Sequence, residues 1–308
     1  MPAVTCRHAR RAFTLTEIMV ALTLLGFVAG AILGIVSRQQ RFYAGASELI
    51  DLRENLRTVA NLLPAELRPL APAQGDLVAL SDSAIEFLAT TGTGIVCTMD
   101  PGRTTVVLPP HTLATNAGLT SWASAPAMGD LLVVYDAATN AMTSHLIHAA
   151  NSAGSCPNTT GFTTTVGEAS QGVSLSALPA LSATITIGAP VRILRRVRYS
   201  LYRSPTDRRW YLGYRDFNSL RSQPWSTIQP VSGPFLPHAS GGAGGIVFTF
   251  FDAAGSTVTT SVLAASVRRI DVTARGETRS PVRTPGLSQT TNGHVRDSVR
   301  VSVALRNR

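Results

Sequence analysis

The sequence predicts an α+β protein in which one long N-terminal helix precedes an antiparallel β-sheet. Three observations predict this class. A long apolar stretch near the N-terminus continues into an amphipathic one, the chain from residue 75 onward is rich in alternating strand-like segments, and these segments follow one another without intervening helices. The 308 residues are 44% hydrophobic and 15% charged, which indicates a folded chain rather than a disordered one.

The N-terminal segment has the composition of a membrane anchor. Residues 1–12 are polar and basic, and residues 13–36 are apolar with Glu17 as their one charge. A helix of this length spans about 36 Å, enough for a bilayer core of about 30 Å. The positive flank predicts a cytoplasmic N-terminus. A cleaved secretory signal is the alternative, but the apolar run is long for one and no small-x-small cleavage site follows it.

Glu17 is unusual because a carboxylate inside an apolar helix is costly and usually has a partner. We expect Glu17 to lie one turn inside the helix, too deep to be an ordinary helix cap. On physical grounds alone, an interfacial glutamate that snorkels or protonates explains its presence equally well.

Residues 11–22 read Arg-Ala-Phe-Thr-Leu-Thr-Glu-Ile-Met-Val-Ala-Leu. This stretch resembles the type IV prepilin processing motif, and the resemblance covers about the first fifty residues. It implies that a prepilin peptidase removes residues 1–12 by cutting between Ala12 and Phe13, and then methylates the amine of Phe13. It also implies that Glu17 pairs with the N-terminal amine of a neighbouring subunit in a filament. Ala12 departs from the family, which usually has glycine there.

Three glycines lie four residues apart within the apolar stretch, at Gly26, Gly30 and Gly34. This spacing places them on one face of a helix, where small residues permit close helix packing. Two other interpretations stay open: ordinary glycine usage in a membrane helix, and local loosening of the helix by residues of low helix propensity.

The helix is predicted to leave the membrane and continue over residues 37–68. Its apolar residues recur at spacings of three, four and seven, which predicts a stripe buried against the chain's own domain. The stripe comprises Phe42, Leu49, Leu52, Leu56, Val59 and Leu63. Pro64 is expected to end or bend the helix. A coiled coil with a partner is the alternative.

Residues 69–308 are predicted to form one β-rich periplasmic domain. The expected strands or hairpins are 84–90, 129–136 with 141–149, 183–203 with 209–216, 245–259, 266–274 and 295–305. Segments rich in Ser, Thr, Gly and Pro predict long loops at 110–128, 150–182, 221–245 and 276–294. The pattern of the last strands, within residues 190–308, is similar to that of PilW-like minor pilins and GspJ-like pseudopilins.

The cysteines bear on the compartment of the folded domain. Cys6 lies in the predicted leader, which leaves Cys97 and Cys156. In an exported domain, an oxidising compartment favours a disulfide between them. It would close a loop of about sixty residues and contribute roughly 4 kcal/mol in the chain-entropy model. Two separate buried thiols are the alternative.

Several enzyme classes find no support in the sequence. All 27 basic residues are arginine, which excludes a lysine Schiff base, a Ser–Lys pair and a Walker lysine. The sequence has no Gly-x-Ser-x-Gly elbow. The processed chain has five histidines, and none of them has the spacing of a metal ligand. They are His111, His145, His148, His238 and His294. We predict a non-enzymatic protein without a metal or cofactor.

One stretch combines arginine with aromatic residues. The candidate patch for an anionic partner comprises Arg195, Arg196, Arg198, Arg208, Arg209 and Arg215. The favoured interpretation is a hairpin with its aromatic rings packed on one face and its arginines solvated on the other. An anionic surface or partner is the second, and DNA is the third, because arginine with aromatic rings suits single-stranded nucleic acid.

Taken with the resemblance, these features predict a minor pilin or pseudopilin anchored in the inner membrane. It would assemble into or prime a type IV pilus-like filament, with prepilin peptidase and other minor pilins or pseudopilins as partners. A filament-tip module that binds DNA or a surface, a pseudopilus tip subunit of type II protein secretion, and a membrane-anchored periplasmic domain without a filament are the alternatives.

Overall fold

The structure, a computed structural model, describes residues 14–115, 117–239, 243–282, 290–291 and 293–305. Its first element is the 53-residue helix α1, Leu15–Leu67. The predicted α+β class is confirmed, because this long helix precedes a large antiparallel sheet and packs on it. Ala12, Phe13 and the rest of the predicted leader lie outside the described residues.

The C-terminal end of α1 agrees with the predicted range 37–68, since α1 ends at Leu67. Pro64, which was expected to end or bend the helix, does not end it and lies inside α1. A proline within a helix removes one backbone hydrogen bond. The last turn still forms, with the amide of Arg68 donating to the carbonyl of Pro64 at 3.0 Å. Leu63 and Leu67 are both fully buried, so packing on either side of the proline holds this turn in place.

The N-terminal half of α1 is apolar and exposed. Its large hydrophobic side chains from Leu15 to Val36 are all accessible on the surface of the chain. Among the described residues, α1 is the one helix long and apolar enough, by length and composition, to cross a membrane.

The chain divides into two compact units. The first holds α1 as far as Asp51 together with the segment Thr278–Val295. Within it, the Glu48 carboxylate accepts hydrogen bonds from the amides of Arg279 and Ser280, at 2.7 and 3.3 Å. The second unit holds Leu52–Glu277 and the described residues from Arg296 onward.

The described residues form sixteen strands, all of them paired antiparallel and numbered here in sequence order. They are β1 (Leu77–Leu80), β2 (Ala84–Ile95), β3 (Thr98–Met99), β4 (Thr105–Leu108), β5 (Ser121–Trp122), β6 (Leu131–Asp136), β7 (Ala141–Gly154), β8 (Gly172–Leu178), β9 (Pro190–Arg203), β10 (Trp210–Asp216), β11 (Gln229–Phe235), β12 (Ile246–Phe251), β13 (Thr257–Val258), β14 (Arg269–Glu277), β15 (Thr290–Thr291) and β16 (His294–Ala304). A short helix, α2, spans Val166–Ala169.

The long strand β9 connects two hydrophobic cores of the second unit. One edge of β9 pairs with β2 along most of its length. The other edge pairs with β6 over Val191–Leu194 and with β10 over Val197–Arg203. The larger core lies between the end of α1 and β2, β9, β10, β12 and β14. The smaller core lies among β4, β6, β7, β8 and the start of β9.

The amphipathic stripe of α1 is buried only in its C-terminal part. Leu52, Leu56, Val59 and Leu63 are at most 5% exposed and belong to the larger core. The prediction that the buried stripe reaches back to Phe42 was wrong, because this side chain is 62% exposed. The stripe therefore marks the sheet-packing face from Leu52 onward.

The predicted loops contain regular structure that the sequence did not indicate. The segment 110–128 contains β5, and 150–182 contains the end of β7, α2 and β8. The segment 221–245 contains β11, and 276–294 contains the end of β14, β15 and the first residue of β16. Within 183–203 there is one strand, beginning at Pro190. Pairing with neighbouring strands stabilises these segments as strands, although Ser, Gly and Pro in their composition are typical of loops.

A disulfide joins Cys97 to Cys156, as predicted from the sequence. Their Cα atoms lie 5.6 Å apart, and both cysteines are fully buried with Val107 and Phe162 packed beside them. The bond ties the segment after β2 to the segment after β7.

Candidate functional site

The start of α1 forms a capping box between Thr14 and Glu17. The Thr14 amide and hydroxyl donate to Glu17 Oε2 at 3.0 and 3.1 Å, and the Glu17 amide donates to Thr14 Oγ1 at 3.3 Å. This reciprocal pattern satisfies amides at a helix start that lack partners within the helix. The expectation that Glu17 lies too deep to be a cap was wrong, because the helix begins at Leu15.

The sequence carries the signal for this cap. Thr14-Leu-Thr-Glu17 matches the pattern in which Ser or Thr is followed three residues later by Glu or Gln. The motif was missed because the helix was expected to begin earlier. Sequence reasoning thus identified Glu17 as the informative residue and overlooked its intramolecular partner.

Glu17 also has the surroundings of a contact site. Its side chain is exposed, and a shallow apolar pocket of about 440 Å³ borders it, lined by Ile18, Ala21, Leu22 and Leu25. Every hydrogen bond that the described residues give its carboxylate ends on Oε2. The second oxygen, Oε1, is therefore available to accept from another group while the cap stays intact.

The three glycines of the apolar stretch face open space. A Cβ atom at Gly26, Gly30 or Gly34 would meet nothing within 4 Å in the described chain. Each glycine leaves a gap at the helix surface where another helix can approach closely. Their role in helix packing stays a prediction.

The structure separates the six arginines of the candidate patch. Arg208 and Arg209 lie at the turn between β9 and β10, where the amide of Arg208 donates to the carbonyl of Ser204. Arg195 donates to both carboxylate oxygens of Asp130 at 2.7 Å. The hydrogen bond to Asp130 raises the pKa of Arg195 and outweighs burial, which lowers it.

The other three arginines share one face of the strands β2, β9 and β10, which we call the arginine face. Arg196 binds the buried carboxylate of Glu86, and its guanidinium lies 4.4 Å from the ring centroid of Phe217. Arg215 lies 5.6 Å from the ring centroid of Trp225. The arginine face comprises Glu86, Arg196, Arg198, Arg215, Phe217 and Trp225.

This arrangement departs from the favoured interpretation of the stretch. Tyr199 packs in the larger core, but Phe217 and Trp225 lie on the same face as the arginines. Arg192, Arg195 and Arg196 are not simply solvated, since they pair with Asp76, Asp130 and Glu86, respectively. Planar guanidinium groups stack on rings and bind carboxylates, so arginine tolerates partial burial here.

A comparison with protein-family models assigns the N-terminus. Residues 7–33 match the prokaryotic N-terminal methylation motif. No curated protein and no solved structure matches the chain. The described residues contain no group of three or more His, Cys, Asp or Glu arranged to hold a metal ion.

The motif and the long exposed helix define a type IV prepilin-like protein. The motif supports a type IV pilin-like protein in the general sense, which includes pilins and pseudopilins, a group whose members are structural proteins. The motif implies processing by prepilin peptidase and assembly with other pilins. It also indicates anchoring in a membrane through the apolar part of α1.

Proposed function

We propose that this protein is a minor pilin or pseudopilin, a structural subunit that joins or primes a type IV pilus-like filament. The observation that carries the proposal is Glu17, the one charge of residues 13–36, placed within the matched motif and exposed beside an apolar surface. A lone carboxylate at such a position needs a cationic partner from outside the chain once the helix is surrounded by apolar neighbours.

Processing supplies that partner in the proposed mechanism. Prepilin peptidase removes residues 1–12, and Phe13 becomes the methylated N-terminus. The amine of one subunit then pairs with Glu17 of its neighbour in the filament. The capping box supports this step, because the hydrogen bonds on Oε2 hold the carboxylate at the helix start and leave Oε1 to accept.

The topology follows from the same features. Residues 13–36 would span the inner membrane once, with the N-terminus in the cytoplasm, and residues 37–308 would lie in the periplasm before the subunit enters a filament. The Cys97–Cys156 disulfide supports an oxidising compartment for this domain. Gly26, Gly30 and Gly34 would allow neighbouring helices to pack closely in the filament core.

Mass spectrometry of the chain purified from its own cells tests this proposal. We expect a mature N-terminus at Phe13 that carries one methyl group, and we expect the chain in the fraction of sheared or crosslinked filaments. An intact leader, or a methylated chain found only in the membrane with no crosslinks to other pilins, would contradict it. Deletion of the gene distinguishes a type IV pilus from a type II secretion system, since it would abolish either piliation or protein secretion.

A further inference from the structure

The arginine face holds more positive charge than its own carboxylate neutralises. On the central strands, Arg198 lies directly opposite Glu86 of β2 and directly opposite Arg215 of β10. Glu86 binds Arg196 instead of Arg198. One carboxylate therefore faces three guanidinium groups, and like charges directly opposite each other in a sheet are destabilising.

The positive charge that no carboxylate neutralises lies at Arg198 and Arg215. Within the described part of the chain, Arg198 makes no ion pair. The Nε atom of Arg215 is shielded from solvent and has no hydrogen-bond partner among the described residues. Nearby arginines differ in this respect, because Arg192, Arg195 and Arg221 are paired with carboxylates of the same chain.

The geometry favours carboxylates over nucleic acid as the missing counter-charge. Guanidinium groups already lie over Phe217 and Trp225, and these two rings contact each other edge to face at 5.1 Å. These contacts reduce the ring surface that is left for stacking bases. The internally paired arginines also leave no continuous cationic track for a phosphate backbone. A carboxylate, in contrast, already binds Arg196 at this face.

We propose that the arginine face docks an acidic segment of a protein partner, whose carboxylates bind Arg198 and Arg215. Charge complementarity supports this occupant, because the guanidinium groups of Arg198 and Arg215 have no carboxylate partner among the described residues. The proposal goes beyond the function inferred above, since it requires neither Glu17 nor a filament.

Binding of a fluorescently labelled hexaglutamate peptide to the full chain in detergent tests this surface. We expect saturable binding at low salt that weakens as salt rises. Arg198→Gln and Arg215→Gln together should weaken it about tenfold, because the two substitutions remove two charge pairs with the peptide. Arg208→Gln is the matched control, because it removes the same charge from the exposed turn and should leave binding unchanged.

Arg198→Gln alone keeps the test valid if the double variant does not fold. Removing Arg198 relieves its repulsion with Arg215, so the melting temperature should hold or rise while peptide binding weakens. Three results would overturn the proposal: no peptide binding at low salt, an equal loss in Arg208→Gln, or an oligothymidylate that binds more tightly than the peptide. The last result would assign the face to nucleic acid instead.

Discussion

Gly276 lies directly against Leu52, and a Cβ atom at this glycine would be only 2.6 Å from the Leu52 Cδ1 atom. Leu52 is buried on α1, and Gly276 lies on β14 opposite Asp297 of β16. The Leu52 side chain would have to move aside, and its burial in the larger core leaves little room for that shift. The helix therefore approaches the sheet closely at a position where the chain has no side chain.

Gly276→Ala should lower the free energy of unfolding by about 1–3 kcal/mol, because the added methyl group overpacks the contact with Leu52. Denaturant unfolding of the full chain in detergent measures this change. Gly118→Ala is the matched control, since a Cβ there would meet nothing within 4 Å. Equal stability of the two variants would show that α1 does not pack on β14 as described.

The disulfide should contribute strongly to the stability of the folded domain. Replacing both Cys97 and Cys156 with serine should lower the free energy of unfolding by about 2–5 kcal/mol, chiefly by freeing the unfolded chain. Thermal unfolding of the variant, beside the wild-type chain with and without reductant, measures the loss. Two alkylatable thiols in the unreduced, denatured processed chain, from which Cys6 has been removed, would contradict the disulfide.

The ion pair between Asp130 and Arg195 should be the costliest of the arginine contacts to break. Asp130 also accepts a hydrogen bond from the amide of Ala127 at 2.9 Å, and its side chain is only 4% exposed. Asp130→Ala leaves a half-buried guanidinium without its counter-ion, so we expect a loss of about 3 kcal/mol.

A double-mutant cycle with Arg195→Ala measures the coupling between the two side chains. If the losses in unfolding free energy of the two single variants simply add in the double variant, Asp130 and Arg195 do not interact directly. The exposed pair of Arg53 and Asp297 provides the comparison, with 3.8 Å between Arg53 Nε and Asp297 Oδ2. Such a surface pair contributes about 1 kcal/mol at most to the free energy of unfolding.

Glu66 should make stability depend on pH in a direction opposite to most carboxylates. Burial at the end of α1 raises the pKa of Glu66 in the folded chain, near Tyr199 and Tyr214. A raised pKa means that folding favours the neutral form. The contribution of Glu66 is therefore fully present below its unfolded pKa and is lost as pH rises through its folded pKa.

Glu66→Gln should accordingly raise the melting temperature of the chain at pH 7 more than at pH 4. Differential scanning measurements at the two pH values check this, with Glu54→Gln at an exposed position of the same helix as the control. An identical change in melting temperature at both pH values for Glu66→Gln would show that the pKa of Glu66 is the same in the folded and the unfolded chain.

The strongly periodic elements could be predicted from the sequence. The hairpin of β6 and β7 forms around Ala137–Asn140, and β10 pairs with β9, because alternating apolar residues and turn residues determine both locally. Strands such as β8 (GVSLSAL) and β11 (QPVSGPF) could not be recognised, since Ser, Gly and Pro are also loop residues. Their pairing partners, not their own composition, make them strands.

The candidate site likewise has one part that the sequence predicts and one part that it does not. Glu17 stands out within one short motif, so a single stretch of sequence was enough to identify it. The partners of the arginines are not visible in this way, because Asp130 lies 65 residues from Arg195 and Glu86 lies 110 residues from Arg196. Which cations are neutralised therefore depends on strand pairing, which the sequence pattern did not fix.

Glu17 has two separable properties, its charge and its role in the cap. Glu17→Gln removes the charge but keeps an oxygen that can accept from the Thr14 amide, since glutamine also serves in capping boxes. Thr14→Ala does the reverse, because it removes the hydroxyl contacts and keeps the carboxylate. The pair of variants distinguishes filament assembly through charge from simple stabilisation of the helix start.

The most direct test measures how much of each variant enters filaments relative to the amount in the membrane. For Glu17→Gln we expect normal membrane insertion with loss from the sheared filament fraction, or loss of secretion if the protein serves a secretion system. For Thr14→Ala we expect assembly close to the wild-type level. Glu17→Gln that assembles like the wild type, while remaining in the membrane as before, would contradict the proposed function.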